Sequence, residues 1–223
     1  MGFGTKDAVI PEGSGKVYKG INGGAHVVAI MDIEVFIAAS GSKIVNLLVE
    51  DNNPVEEGYE YEGLLGKHTA THNYASLAMG SWFKEVDDSV KVAISKDFAS
   101  IANATGTRAQ VDLISADTID EYLQKILPML KGKYFCTIVQ EREYLSDGKV
   151  KTTKNIKAMK ADDTYITLAK PYPEYKVENN VITNGSWTMD FNPLYDIKKV
   201  AKPDSETPPP NDAPPPSLND LPF

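Results

Sequence analysis

The chain has a single cysteine, Cys136, among 223 residues. No disulfide can form within it, and no zinc site built on cysteines can either. Histidine is scarce, at three residues. No stretch reaches eighteen uncharged apolar residues, so no membrane-spanning helix is expected. Met1–Asp7 has no apolar run behind a basic start, so no secretory signal is visible and a reducing cytoplasm is the expected compartment. Basic residues are outnumbered, 23 against 31, leaving a formal charge of −8. A uniformly basic nucleic-acid coat is therefore excluded, and any polyanion must bind a local patch. What is present is enough for a core: 42% hydrophobic residues, with eleven Tyr, seven Phe and two Trp.

Lysine and arginine vanish altogether beyond Pro203. Residues 203–223 hold eight of the 14 prolines, together with Asp204, Glu206, Asp212 and Asp220. Such a segment buries too little apolar surface to offset its ordering entropy, so a disordered acidic tail is expected. Its prolines favour extended polyproline II, with a reach of roughly 65 Å. Leu218, Leu221 and Phe223 are its large apolar side chains, all near the tip. An apolar end on an acidic leash suits docking into an apolar pocket with a basic rim.

The body, residues 1–202, reads as one mostly β domain. His26–Ile37 and Lys43–Glu50 form a hairpin around Ser40-Gly41-Ser42, with Asp51-Asn52-Asn53-Pro54 as its stop. A third strand is expected from Lys67 to Ala75. Helical spacing follows in Val90, Ile94, Phe98 and Ile101, ending at Gly106. A second helix starts at an Asp117 N-cap and runs towards Gly132, with Pro128 kinking or shortening it. Strands resume at Lys133–Leu145, turn at Ser146-Asp147-Gly148 and return through Lys149–Ala161. Three strands, helices, then two strands is the element order of an OB-fold barrel. Residues from about 165 to 202 read as an added β arm.

Charge is segregated within this body. Lys133–Lys160 carries seven basic residues against Glu141, Glu143 and Asp147, a net +4 in an acidic protein. Period-2 alternation puts Lys149, Lys151 and Lys157 on one face of their strand and Lys154 and Lys160 on the other. Tyr134, Phe135 and Tyr144 accompany them, and Tyr74, Trp82 and Phe83 could line a nearby face. Lysines answer the phosphates of a single strand, and aromatic rings answer its bases, at roughly 1–3 kcal/mol per stacked base. Lys133, Arg142, Lys149, Lys151, Lys157, Tyr74, Trp82, Tyr134 and Tyr144 are the candidate contacts. Ribbon lysines also serve as edge protection, and strand aromatics often belong to the core.

Other motifs carry less. His68 and His72 share a strand face without a third ligand, so no metal site is expected. Gly13-Ser14-Gly15-Lys16 lacks the spacing of a phosphate loop. No nucleophile–base constellation is recognisable, and Cys136 is expected to be buried and inert. Neither an enzyme nor a cofactor is expected.

The last residues, Ser217 to Phe223, resemble the terminal tip of bacterial single-stranded DNA-binding proteins, which finish in acids, an aliphatic residue, Pro and Phe. Asp220, Leu221, Pro222 and Phe223 match, while Asn219 replaces one of the usual acids. The body, over about 25–160, is more similar to the phage-encoded OB-fold single-stranded DNA-binding proteins. That resemblance implies a non-catalytic protein coating single strands during replication, recombination or repair in a bacterial host cytoplasm. It also implies that the tip recruits a polymerase, primase, helicase or nuclease, and that the acidic tail can occupy the protein's own basic groove. An adaptor or virion protein acting through its tail, and a strand-annealing recombination protein, are the alternatives. Homo-oligomerisation and the choice between DNA and RNA are left open by the sequence.

Overall fold

A computed structural model describes residues 20–146, 148–161 and 164–200. The tail 203–223 and its tip, Asp220 to Phe223, lie outside the described residues. The protein is mostly β. The long strands are β1 (Gly24–Ile37), β2 (Lys43–Gly63) and β3 (Gly66–Phe83); then come the helices α1 (Asp88–Ala104), α2 (Arg108–Val111) and α3 (Ile119–Leu130). Strands β4 (Tyr134–Ser146) and β5 (Lys149–Ile156) follow. The remaining elements are short: β6 (Ala158–Ala161), β7 (Thr164–Thr167), β8 (Lys170–Pro171), β9 (Lys176–Glu178), β10 (Val181–Thr183), β11 (Thr188–Asp190), α4 (Pro193–Asp196) and β12 (Ile197–Lys198).

Five strands close into a ring. Their order is β1-β2-β3-β5-β4, and β4 pairs back onto β1 through Gly24↔Val139 to Ala29↔Tyr134. The β3–β5 contact is parallel and the other four are antiparallel. Period-2 alternation sends Ile30, Leu47, Val49, Leu77, Phe135 and Val139 to the interior. There they meet Phe98 and Ile101 of α1 and Leu123, Ile126 and Leu127 of α3. A second, smaller cluster lies on the opposite side of β4. Cys136 and Ile138 pack with Ala25, Leu168 and Ile182, and the arm residues Trp187, Met189 and Phe191 close over them. β4 is thus buried on both faces along its first half, which explains its run of Phe, Cys, Ile and Val.

Several boundaries differ from the sequence expectation. The stop at Asp51–Pro54 does not end β2, which runs on to Gly63. Pro54 lacks an N–H, and the β2–β3 register shifts on both sides of it, so bulges absorb the defect. β3 begins near Lys67 as expected but continues to Phe83, because Ala75, Leu77 and Met79 keep filling the interior. The cap of α3 is Thr118 rather than Asp117. Thr118 Oγ1 accepts the Glu121 N–H at 3.2 Å, and Glu121 reaches back to the Asp117 N–H at 3.1 Å. Pro128 does not shorten this helix, since its missing bond is to the carbonyl of exposed Gln124, which water can serve. Asp87 caps α1: its carboxylate accepts the Val90 N–H at 2.8 Å.

Candidate nucleic-acid interface

The β4–β5 hairpin presents two unlike faces, set by its register. Tyr144 lies opposite Lys151, and Arg142 lies opposite Thr153. Directly opposed residues share a face, and Lys149 joins Lys151 two residues on. Arg142, Tyr144, Lys149 and Lys151 therefore project together from the outer face, and all four are exposed. No carboxylate belongs to that face between Arg142 and Ser146 of β4 or between Lys149 and Asn155 of β5, since Glu141 and Glu143 alternate to the other. The parallel pair Ala78↔Asn155 brings β3 alongside. Tyr74 lies four residues before Ala78 on β3, as Lys151 lies four before Asn155 on β5. Tyr74 is half-buried and rests against Leu48.

The other predicted contacts stand apart from this cluster. Lys157 shares the outer face but is engaged: its Nζ lies 2.9 Å from Asp196 Oδ2. Asp196 also accepts Gln140 Nε2 at 2.7 Å and the Asn192 N–H at 2.9 Å. Burial alone would raise this carboxylate, but the three donors outweigh it and hold it below its ordinary value. Lys157 thus anchors α4 to the ring. Lys133 and Tyr134 are exposed at the far end of β4, eight to nine residues from Arg142, or roughly 26–30 Å along the strand. They border a cleft of about 460 Å³ with Gly106, Pro171, Tyr172 and Glu174. Trp82 is exposed at the end of β3 and meets Phe36 edge-on, with ring centroids 5.9 Å apart. Phe83 and Phe135 are interior residues.

The opposite face of the hairpin has a structural task. Glu141 accepts the Gly23 N–H at 2.8 Å, and Lys154 Nζ donates to the Ile21 carbonyl. These bonds seat the lead-in to β1, with Ile21 in the core. Burial lowers the Lys154 ammonium, partly countered by Glu141. On β1 two carboxylates, Asp32 and Glu34, are turned to internal bonds. Asp32 accepts the Ile33 and Leu64 N–H groups at 2.7 and 3.0 Å, and Glu34 accepts Asn46 and Ser76.

Two residues missed in the sequence reading, Phe36 and Tyr172, each back one of the exposed rings. Tyr172 stands 6.3 Å from Tyr134 between ring centroids. Their signal was absent because each lies far in sequence from the ring it meets. Cys136 is buried, its thiol pushed up to about 11 by burial, and its Sγ donates to the Tyr175 carbonyl at 3.4 Å. Among the described residues no group of three or more His, Cys, Asp or Glu side chains is placed to hold a metal. His72 lies 3.7 Å from Glu50. Asp97 lines a groove of about 260 Å³ between β3 and α1; burial raises its carboxyl, which accepts the Thr167 N–H at 2.7 Å. Among the described residues no helix is long and apolar enough to cross a membrane.

No protein-family model matches this chain, and no curated protein matches it. The functional reading therefore rests on the arrangement of its own residues.

Proposed function

We propose that this protein binds single-stranded DNA across the outer face of its β4–β5 hairpin, without reading sequence. The observation that carries the reading is the shared outer face of Arg142, Lys149 and Lys151 around the exposed ring of Tyr144. In a chain of net charge −8, such a cluster is a local attractor for a polyanion. Phosphates meet the cations and one base stacks on Tyr144, so both exposed chemistries of an unpaired strand are served. A duplex hides its base faces and profits from the cations alone. The strand order β1-β2-β3-β5-β4 with helices between β3 and β4 fits an OB-fold barrel, an architecture suited to oligonucleotides. The tail resemblance supports a second task, recruiting partner proteins through Asp220–Phe223.

Fluorescence anisotropy with labelled dT20 tests this. Three phosphate contacts give a log–log salt slope of magnitude about 2 or more on a single strand. Absence of binding at low salt, or equal preference for duplex, overturns the proposal. Deleting residues 203–223 leaves binding intact or strengthens it on this reading. If the tail alone carried the activity, the deletion would abolish it.

A further inference from the structure

The structure brings a cation to this face from a distant part of the chain. β12 pairs in parallel with β4, and its register sets Lys198 beside Arg142. Paired positions on neighbouring strands share a face at a separation of about 4.8 Å. Both side chains are exposed. Among the described residues neither one takes part in a salt bridge. Two like charges side by side on paired strands repel each other unless an anion lies between them. Asp196, two residues before Lys198, is wholly buried and already bound to Lys157, Gln140 and the Asn192 N–H. β12 is held in this place independently of any ligand: Asp196 anchors α4 just before it, and the Val200 N–H donates to Glu143 at 3.2 Å just after. A fixed backbone and adjoining exposed cations suit an anion.

We propose that Lys198 and Arg142 form a two-pronged site for a backbone phosphate of the bound single strand. It rests on the reading above and extends it: the interface is three strands wide, β12-β4-β5, with its outer edge supplied by the segment that follows the arm. The fork engages one phosphate, and Tyr144 and Lys151 on the next row engage the nucleotide beside it. Tyr195, largely exposed and three residues before Lys198, offers a second ring on the same edge.

The test is a salt titration of dT20 binding with Lys198→Ala, Lys198→Glu and the control Lys176→Glu, whose exposed lysine lies in the arm on β9. One phosphate contact contributes about 0.7 to the slope on single strands. Lys198→Ala should flatten the slope by about that much, which at 50 mM salt corresponds to roughly eightfold weaker binding. Lys198→Glu should cost about twice that in slope, since the new carboxylate also engages Arg142. Lys176→Glu changes net charge equally and should leave the slope at the wild-type value. Unchanged slopes in both Lys198 variants, or an equal loss in Lys176→Glu, overturn the fork. Failure of the wild-type protein to bind dT20 refutes the underlying function instead, so the two failures are distinguishable. Circular dichroism of each variant confirms that the exposed substitutions leave the fold intact; a Lys198 variant that unfolds overturns the assignment of this side chain to a ligand rather than to the fold.

Discussion

Replacing Tyr144 by alanine separates stacking from charge. Tyr144 is 45% exposed on the hairpin. One ring face is thus available to a base, and the stability cost of truncation should stay below about 1 kcal/mol, since only part of the burial value of a large side chain is lost. A stacked base is worth roughly 1–3 kcal/mol, and a single half-shielded face places Tyr144 in the lower part of that range, about 1–2 kcal/mol. Affinity for dT20 should therefore fall about five- to thirtyfold. No charge is removed, so the salt slope should not change. Tyr144→Phe keeps the ring and should bind like the wild type. Anisotropy titrations at three salt concentrations read all of these quantities together. An unchanged affinity in Tyr144→Ala refutes the stacking role. Equal losses in Tyr144→Phe and Tyr144→Ala would refute it too, since they would assign the effect to the hydroxyl.

Two further outcomes concern the frame that holds the site. Asp196→Ala leaves Lys157 and Gln140 without their acceptor and should destabilise the fold by about 2–3 kcal/mol, less than for a wholly buried pair because Lys157 keeps some water contact. In the wild type the lowered Asp196 carboxyl contributes stability that is complete above its unfolded value of about 3.9 and is lost as pH falls through its folded value; urea midpoints between pH 6 and 2 check this, and an Asp196→Ala profile as steep as the wild type's would count against it. His26 behaves with the other sign of pKa logic for a base: burial lowers it despite the Asn22 carbonyl and Asp51 nearby, so the unfolded chain takes up a proton more readily than the folded one. Stability should be complete above about pH 6.5 and decline below it, and His26→Gln should flatten that decline between pH 7.5 and 5.5 in the same assay.

Local patterns were legible and long-range ones were not. The β1–β2 turn and the shared face of Lys149 and Lys151 follow from neighbouring residues, and the structure contains them. The closure of β1 onto β4 joins residues more than a hundred positions apart, and nothing local in either strand encodes it. The continuation of β2 past Pro54 depends on a partner strand that accepts a bulge, which the proline alone does not announce. The one-residue error at the second long helix arose because Asp117 and Thr118 are both good caps, and only the position of Glu121 decides between them. Within the candidate site the alternation of lysines was readable, whereas the engagement of Lys157 by Asp196, 39 residues away, was not. Neither was the position of the expected arm over the middle of β4, between Tyr134 and Tyr144.

That arm and the distribution of carboxylates together constrain the path of a bound strand. Around the outside of the ring, Asp32, Glu34 and Glu50 of β1 and β2 are engaged in internal bonds or buried, and β5 and β4 carry exposed cations. A polyanion gains nothing on the first side and is attracted to the second. On the second side it cannot run the length of β4, because Cys136 and Ile138 lie beneath Trp187, Met189 and Phe191. The open route crosses the strands instead, from Tyr74 on β3 over Lys151 to Tyr144, ahead of the arm. Crossing three strands at about 4.8 Å each covers only a few nucleotides at about 3.4 Å apiece, which puts one protein's contacts at the short end of the range of about 4–16 nucleotides for such folds. A long contact length would require the strand to climb over the arm, where the exposed Glu174, Glu178 and Asp190 oppose it.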